Sequence, residues 1–336
     1  MRRVILLCAM LALSTPAANA DPVADFYRGK TIGLYIGFPP GGGYDIYARM
    51  VAPHWSRHIP GNPTITVHNM DGGVGVRAAT YIANATAQDG TALGLFQDGM
   101  TLAKVMGGPG DFDPVKFSWL GRIVSTATFT LLWHTSPVQS IDDAKKREVT
   151  ISATSVSSSS SYVPLALNDL TGTKFKVIRG YRGAAPMALA LEQGEVHAHG
   201  GIALEAILAT KKEWLTEKKA KFFYYLGAQR HRDLPDVPGL LDLAVDDKSR
   251  RILGLFGGAV DIGRSFVAEP GAPAERVAAL RAAFMKMTAD PAFVADMKKR
   301  NLGIEPMEGA ELQKIVAAAA ATPADLVAQA KRYFAP

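Results

Sequence analysis

The chain has 336 residues, 48% of them hydrophobic and 20% charged, with a formal net charge of +6. It is too apolar to be a disordered chain and long enough to bury one or two cores. Its basic residues are scattered or grouped as on surface helices (Lys211, Lys212, Lys218, Lys219, Lys298, Lys299, Arg300), which argues against nucleic acid as a partner.

The chain opens Met1-Arg2-Arg3, continues with an apolar run over 4–13, and reaches Ala18-Asn19-Ala20 before Asp21. Two early cations, an apolar stretch too short to span a bilayer and small residues at a cut site predict a signal peptide, residues 1–20, cleaved after Ala20. The product is then expected to be exported. Cys8 does not read as a lipoprotein signal, because Leu7 precedes it where a small residue is needed. It is the sole cysteine, so the mature chain is expected to have no disulfide and no thiol chemistry. Loss of Arg2 and Arg3 takes the formal charge from +6 to +4. No later stretch is long and apolar enough to span a membrane.

Residues 31–38 alternate, with Ile32, Leu34, Ile36 and Phe38 on one face, and read as a strand. Pro39, Pro40, Gly41, Gly42 and Gly43 follow, then a helix with Ile46, Tyr47, Met50, Val51 and Trp55 at helical spacing. Prolines cannot extend a ladder, and glycines let backbone approach a ligand. The helix start then turns unpaired N–H groups and the positive end of its dipole toward one spot, which suits an anion. A strand–loop–helix connection with no ligand has the same pattern. Asp45 falls in the first turn, where it can accept those N–H groups, and Arg49 is placed to pair with it. No Gly-Lys-Ser/Thr follows these glycines and the GxGxxG spacing is absent, so this is not a nucleotide loop. Pro53 is expected to kink or end the helix.

A second strand at 64–69 also runs into glycines (Gly72, Gly73, Gly75), and a helix passes through Ala78, Ala79 and Ile82. A third strand at 91–96 exits through Gln97, Asp98, Gly99 and Met100. This alternation predicts a parallel sheet with right-handed crossovers, its exit loops gathered at the carboxyl edge. The plan recurs. A strand at 149–153 exits through residues 154–161, Thr154 and Ser155 leading a run of serines, and a helix covers about 162–170. A strand at 174–179 exits through residues 180–186 into a helix at 187–192, and strands follow at 196–199 and 222–226. Residues 117–133 read as a strand crossing between the units, and 253–267 as a second crossover. Helices at 274–287, 291–300 and 309–321 end the chain. The expected fold is therefore α/β, with two Rossmann-like lobes joined by a two-strand hinge. Lobe 1 would comprise 21–123 and 262–336, and lobe 2 would be 124–261, the two closing on something small.

Serine runs are usually flexible linkers, but this one sits between a strand and an apolar helix with no room for a spacer. Hydroxyls and free N–H groups there would suit a carboxylate. A serine nucleophile is the enzymatic alternative, although no Gly-x-Ser-x-Gly elbow is present. His197 and His199 would share a strand face. No third ligand stands at a telling distance for a metal, and one of them is expected to face the cleft as a donor titrating near neutral pH. His54, His58, His68, His134 and His231 read as structural. Arg179 and Arg182 flank an exit loop and could reach a distal carboxylate.

These residues resemble a known family. Phe38-x-x-Gly41-Gly42-x-x-Asp45-x-x-Ala48-Arg49, Asn69-x-x-Gly72 and Asp89-Gly90-Thr91 are similar to the Bug/TctC solute receptors of tripartite tricarboxylate transporters. So are the serine-rich loop, Tyr181 to Pro186, Gly194-Glu195-Val196, the stretch from Asp233 to Pro238, and Pro270-Gly271-x-Pro273. The resemblance runs nearly end to end from Phe26. It implies a type II periplasmic-binding-protein fold, a ligand with at least one carboxylate, and large and small membrane subunits as partners. In the family, first-lobe loops hold the proximal carboxylate through backbone N–H groups and bridging waters, and second-lobe loops choose the distal end. Val156 and Ser158 stand where the family usually has glycines, Gly183-Ala184 replaces Gly-Gly, and His197 replaces an acidic residue. An acid lost and an imidazole gained both favour an anion, so a dicarboxylate or an aromatic carboxylate is expected.

The expected site comprises Phe38, Gly43, Tyr44 and Asp45, with Gln97, Asp98, Gly99 and Met100 as the floor. From the second lobe it takes Thr154, Ser155, Ser157, Ser159, Ser160, Tyr181, Gly183, Ala184, His197 and His199. The reading is a monomeric receptor that needs no cofactor and does no chemistry on its ligand. A periplasmic hydrolase using the serine loop with His197 as base is the alternative class, and a receptor feeding a sensor is another.

Overall fold

The computed structural model of the chain describes residues 21–334 other than 98, 127, 157 and 182. Alternation sets the first strand, β1 (Thr31–Ile36), in which Ile32, Leu34 and Ile36 are fully buried. It pairs in parallel with β2 (Thr64–Asn69) on one side and β3 (Ala92–Leu95) on the other. Every residue of β3 is buried, as in a parallel strand covered on both faces. The remaining strands are β4 (Ser118–Val124), β5 (Phe129–Trp133), β6 (Val149–Ser152), β7 (Phe175–Ile178), β8 (Ala198–Ile202), β9 (Ala220–Tyr225), β10 (Arg264–Ala268) and the short β11 (Met307–Glu308).

Two sheets result, ordered β11-β4-β10-β3-β1-β2 and β7-β6-β8-β5-β9. With β11 set aside, the orders are equivalent. In each, a first strand lies between its two parallel successors, followed by an antiparallel strand and a final outer strand. The repeated plan of the sequence is thus a repeated topology.

The run 117–133 is two strands, β4 in the first sheet and β5 in the second, and the chain crosses between them. The second crossing differs from expectation. Helix Asp247–Asp261 occupies most of it, and only Ile262 and Gly263 separate that helix from β10. Ile252, Leu253, Leu255, Phe256 and Ala259 bury one helical face there, a 3.6-residue pattern that an apolar run read as a strand conceals. The two crossings touch. Gly263 has φ +54°, and a Cβ on it would strike the Val124 carbonyl oxygen.

Register shows which edges meet. Antiparallel pairing of Phe266 with Leu95 starts β10 at the end of β3. Pairing of Phe129 with Ile202 starts β5 at the end of β8. Both sheets therefore present the carboxyl ends of their parallel strands to the hinge.

Each sheet is covered on both faces. Helices Gly43–Ser56, Ala274–Thr288 and Pro291–Lys299 pack on the first around Trp55, which meets Phe266 and Phe284 edge-on and donates Nε1–H to the Leu280 carbonyl at 3.2 Å. Val76–Asn84 and Gly309–Ala320 cover its other face. Ser159–Thr171 and Asp247–Asp261 pack on the second sheet, with Ala184–Glu192 opposite. Pro53 does not end its helix, which runs on to Ser56. It falls in the last turn, where one backbone bond is lost and the burial of Trp55 outweighs it. A helix absent from the sequence reading, Ala324–Lys331, and a turn, Arg332–Phe334, follow the last expected one. They pack on the core of the second sheet, where Phe334 stacks on Tyr162 and Tyr333 donates to Asp169 Oδ2 at 2.6 Å. Among the described residues, no helix is long and apolar enough to cross a membrane.

Candidate functional site

The first-lobe loop is shaped by one carboxylate. Asp45 is 4% exposed. Its Oδ2 accepts from Gly41 N–H at 2.9 Å and its Oδ1 from Asn69 Nδ2 at 2.9 Å, while Arg49 Nε lies 3.0 Å from both oxygens. Asn69 Nδ2 also donates to the Phe38 carbonyl at 3.0 Å, and Arg49 Nη2 to Asn69 Oδ1 at 2.8 Å. The hydrogen bonds from Arg49 lead in holding the carboxyl down to about 2. Asp45 is thus engaged by its own chain, and it ties the loop between β1 and the helix to the end of β2. Gly41 takes φ +85° inside that tie, a left-handed conformation that suits glycine. Phe38 and Tyr44 stack at 4.3 Å across the loop, and the cap residue Gly42 has no side chain to cover the helix start at Gly43.

The expected floor is only partly present. Gln97 is half-buried and Gly99 caps helix Met100–Val105. Met100 is 4% exposed and packs with Phe96, Phe112 and Phe117, so it belongs to the core and does not line the cleft. Asp98 and Ser157 lie outside the described residues.

In the second lobe the helix starts at Ser159, three residues earlier than expected, so Ser159 and Ser160 are in its first turn. Thr154 N–H donates to Ser160 Oγ at 3.3 Å, Ser158 Oγ lies 2.8 Å from Ser160 Oγ, and Ser158 Oγ donates to the Ser155 carbonyl at 2.7 Å. Thr154, Ser155, Ser158 and Ser160 thus bond to one another at the helix start, which a flexible linker would not do. Serine favours such helix starts because its hydroxyl bonds nearby backbone. Tyr181 donates to Glu195 Oε1 at 2.6 Å, and burial with that carboxylate pushes its hydroxyl up to about 12. Gly183 caps the helix that opens at Ala184.

The histidines correct the sequence reading. His199 is fully buried, with Nε2 3.1 Å from the Ala184 carbonyl and Nδ1 accepting from Gly201 N–H at 3.1 Å. Burial lowers its pKa to about 4, so it is neutral at neutral pH and is not a titrating donor in the cleft. His197 precedes β8, which begins at Ala198, and its Nδ1 accepts from Thr150 N–H at 3.2 Å. That is the end of the strand remote from the exit loops. Among the described residues, neither imidazole is hydrogen-bonded to a serine, and no cluster of His, Cys, Asp or Glu could hold a metal.

One residue was missed. Arg264 opens β10 at the carboxyl edge, on the face that carries Phe266 and the helix Gly43–Ser56. Its guanidinium lies 5.1 Å from the Tyr44 ring centre and 4.9 Å from that of Tyr47, and a Cβ on Gly43 would stand 3.1 Å from its Nη2. Its Nε is buried with no acceptor among the described residues. A cation at the mouth of an apolar strand was the available signal.

Two sheets of one strand order, joined at facing carboxyl edges, define a two-lobed α/β fold of the type II periplasmic-binding-protein class. It is the fold of the TctC and Bug periplasmic receptors. The chain superposes on a TctC solute-binding protein from Polaromonas, solved with no ligand, at a TM-score of 0.73 and 23% identity, covering 90% of this chain and 99% of that one. MatC from Rhodopseudomonas palustris with bound malate gives 0.53 at 19% identity over 91% of this chain and 99% of its own. A further R. palustris protein, with adipate, gives 0.55 at 20% identity over 90% and 97%. No family model matches the sequence, and no curated protein matches it.

Proposed function

We propose that this chain is a periplasmic receptor that captures a small organic carboxylate between its lobes and delivers it to the membrane subunits of a tripartite tricarboxylate-type transporter. The observation that carries this reading is the facing of the two carboxyl edges across a double crossing. One edge supplies the glycine-rich helix start at Gly43, the other the bonded set Thr154, Ser155, Ser158 and Ser160. Both are donor-rich, as an anion requires. Fold kinship with proteins solved holding malate and adipate supports the same ligand chemistry. Export behind a signal peptide ending at Ala20, and action as a monomer, belong to the proposal.

A receptor closes by what its ligand gains in the closed state, and no bond of the ligand need change. The test is a thermal-shift screen of the purified protein against mono-, di- and tricarboxylates, aliphatic and aromatic. A ligand at a hundredfold excess over its Kd stabilises by about 2.7 kcal/mol, so the shift is readable. A selective shift, with the acid recovered intact, is the expected result. Absence of any shift, or recovery of a cleaved ester or amide analogue, overturns the reading.

A further inference from the structure

The half-buried arginines differ in what they bind. Arg276 and Arg281 donate to the carbonyls of Asp89 and Trp119, and the more deeply buried Arg122 pairs with Glu305. Two others have no acid partner among the described residues. Arg264 has only the faces of Tyr44 and Tyr47. Arg179, directly after β7, donates its Nε to Ser161 Oγ at 2.9 Å, leaving its terminal nitrogens for another acceptor.

Their places correspond. Arg264 stands at the carboxyl edge of the first sheet beside Gly43, the first residue of one helix. Arg179 stands at the carboxyl edge of the second sheet against Ser161, in the first turn of another. A cation beside a helix start meets the positive end of the dipole, an unfavourable pairing that an anion between them would reverse. Leaving a half-buried guanidinium without an anion also costs free energy. Each lobe therefore carries one uncompensated cation where the cleft opens.

We propose that Arg264 and Arg179 are the paired counter-ions of the ligand, which is a compact dianion with one acidic group at each end. This deepens the receptor reading and rests on it. The guanidinium fork takes a carboxylate through two parallel N–H bonds, and the flanking rings hold Arg264 in place for it. A monoanion satisfies one lobe and leaves the other arginine unpaired, so it closes the cleft less well.

The experiment is calorimetric titration of the purified protein with succinate, glutarate, adipate and suberate, each beside the monocarboxylate of equal chain length. Wild type should bind at least one diacid on the order of 100-fold more tightly than its monoacid. Arg264→Gln and Arg179→Gln should each bring that diacid down to the affinity of the monoacid, with the far-ultraviolet circular dichroism unchanged. Arg264→Lys and Arg179→Lys, which keep the charge without the fork, should recover part of the difference and serve where a glutamine variant fails to fold. If carboxylates bind but diacids gain nothing over monoacids, or the variants leave the preference intact, the arginine pair is refuted and the receptor survives. If no carboxylate binds, both fall.

Discussion

Arg49 lies across the Asp45 carboxylate with its Nε 3.0 Å from both oxygens, and Asn69 closes the triangle from the end of β2. These three side chains fix where the glycine loop sits over the carboxyl edge. Asp45→Ala would leave Gly41 N–H and Arg49 Nε without their acceptor and take from Asn69 Nδ2 one of its two. We expect it to cost about 2 kcal/mol of stability, measured by urea unfolding, and to weaken carboxylate binding by loosening the loop that leads to Gly43. The Asp45 pKa is depressed, so its contribution is present above the ordinary carboxylate range and is lost as pH falls toward about 2. Unchanged unfolding would show that the loop holds its shape without the triangle.

Much of this fold is legible in the sequence because burial follows period. Alternation placed β1 to within two residues, and the sequence reading placed Ala274–Thr288 to within one. Legibility failed where two periods overlap. Residues 253–261 are apolar enough for a strand yet are helical, and the sequence gives no length cue until Gly263. The site was less legible because motif positions say little about what is already satisfied. The pairing of Asp45 with Arg49 was legible from their spacing, but the reach of Asn69 to the same carboxylate was not, and His199 is buried. Arg264 had no motif around it, and its meaning comes from long-range contacts with Tyr44 and Tyr47.

The hinge gives a backbone prediction. Gly263 needs a left-handed φ and has no room for a Cβ against the Val124 carbonyl. Gly263→Ala should cost about 1–2 kcal/mol from conformation and about 1–3 kcal/mol more from overpacking. Because both crossings meet there, the change should alter ligand affinity as well as melting temperature. A variant with wild-type melting would mean that the crossings can separate.

The last prediction concerns two groups that titrate in opposition. Asp261, at the end of the hinge helix, accepts from Ala228 N–H at 3.0 Å, and its backbone carbonyl accepts from Arg122 at 2.6 Å. Burial raises its pKa to about 6, against the opposing pull of that N–H and of Arg122. A raised folded pKa means that the folded state holds the proton more tightly. The contribution is full below the unfolded value and is lost as pH rises through about 6. His199 runs the other way, since burial lowers it to about 4 and the unfolded chain binds the proton first. Its neutral ring therefore favours folding above the unfolded value, and that is lost as pH falls toward about 4. Each shift is worth about 3 kcal/mol, so between about pH 4 and 6 these two contributions offset one another. Asp261→Asn removes one side of the balance. Its stability should rise with pH across that window and exceed wild type at neutral pH. His199→Gln should show the reverse slope, with stability falling as pH rises. Urea titrations of the three proteins at half-unit steps of pH test both, and parallel curves for all three would refute the opposition.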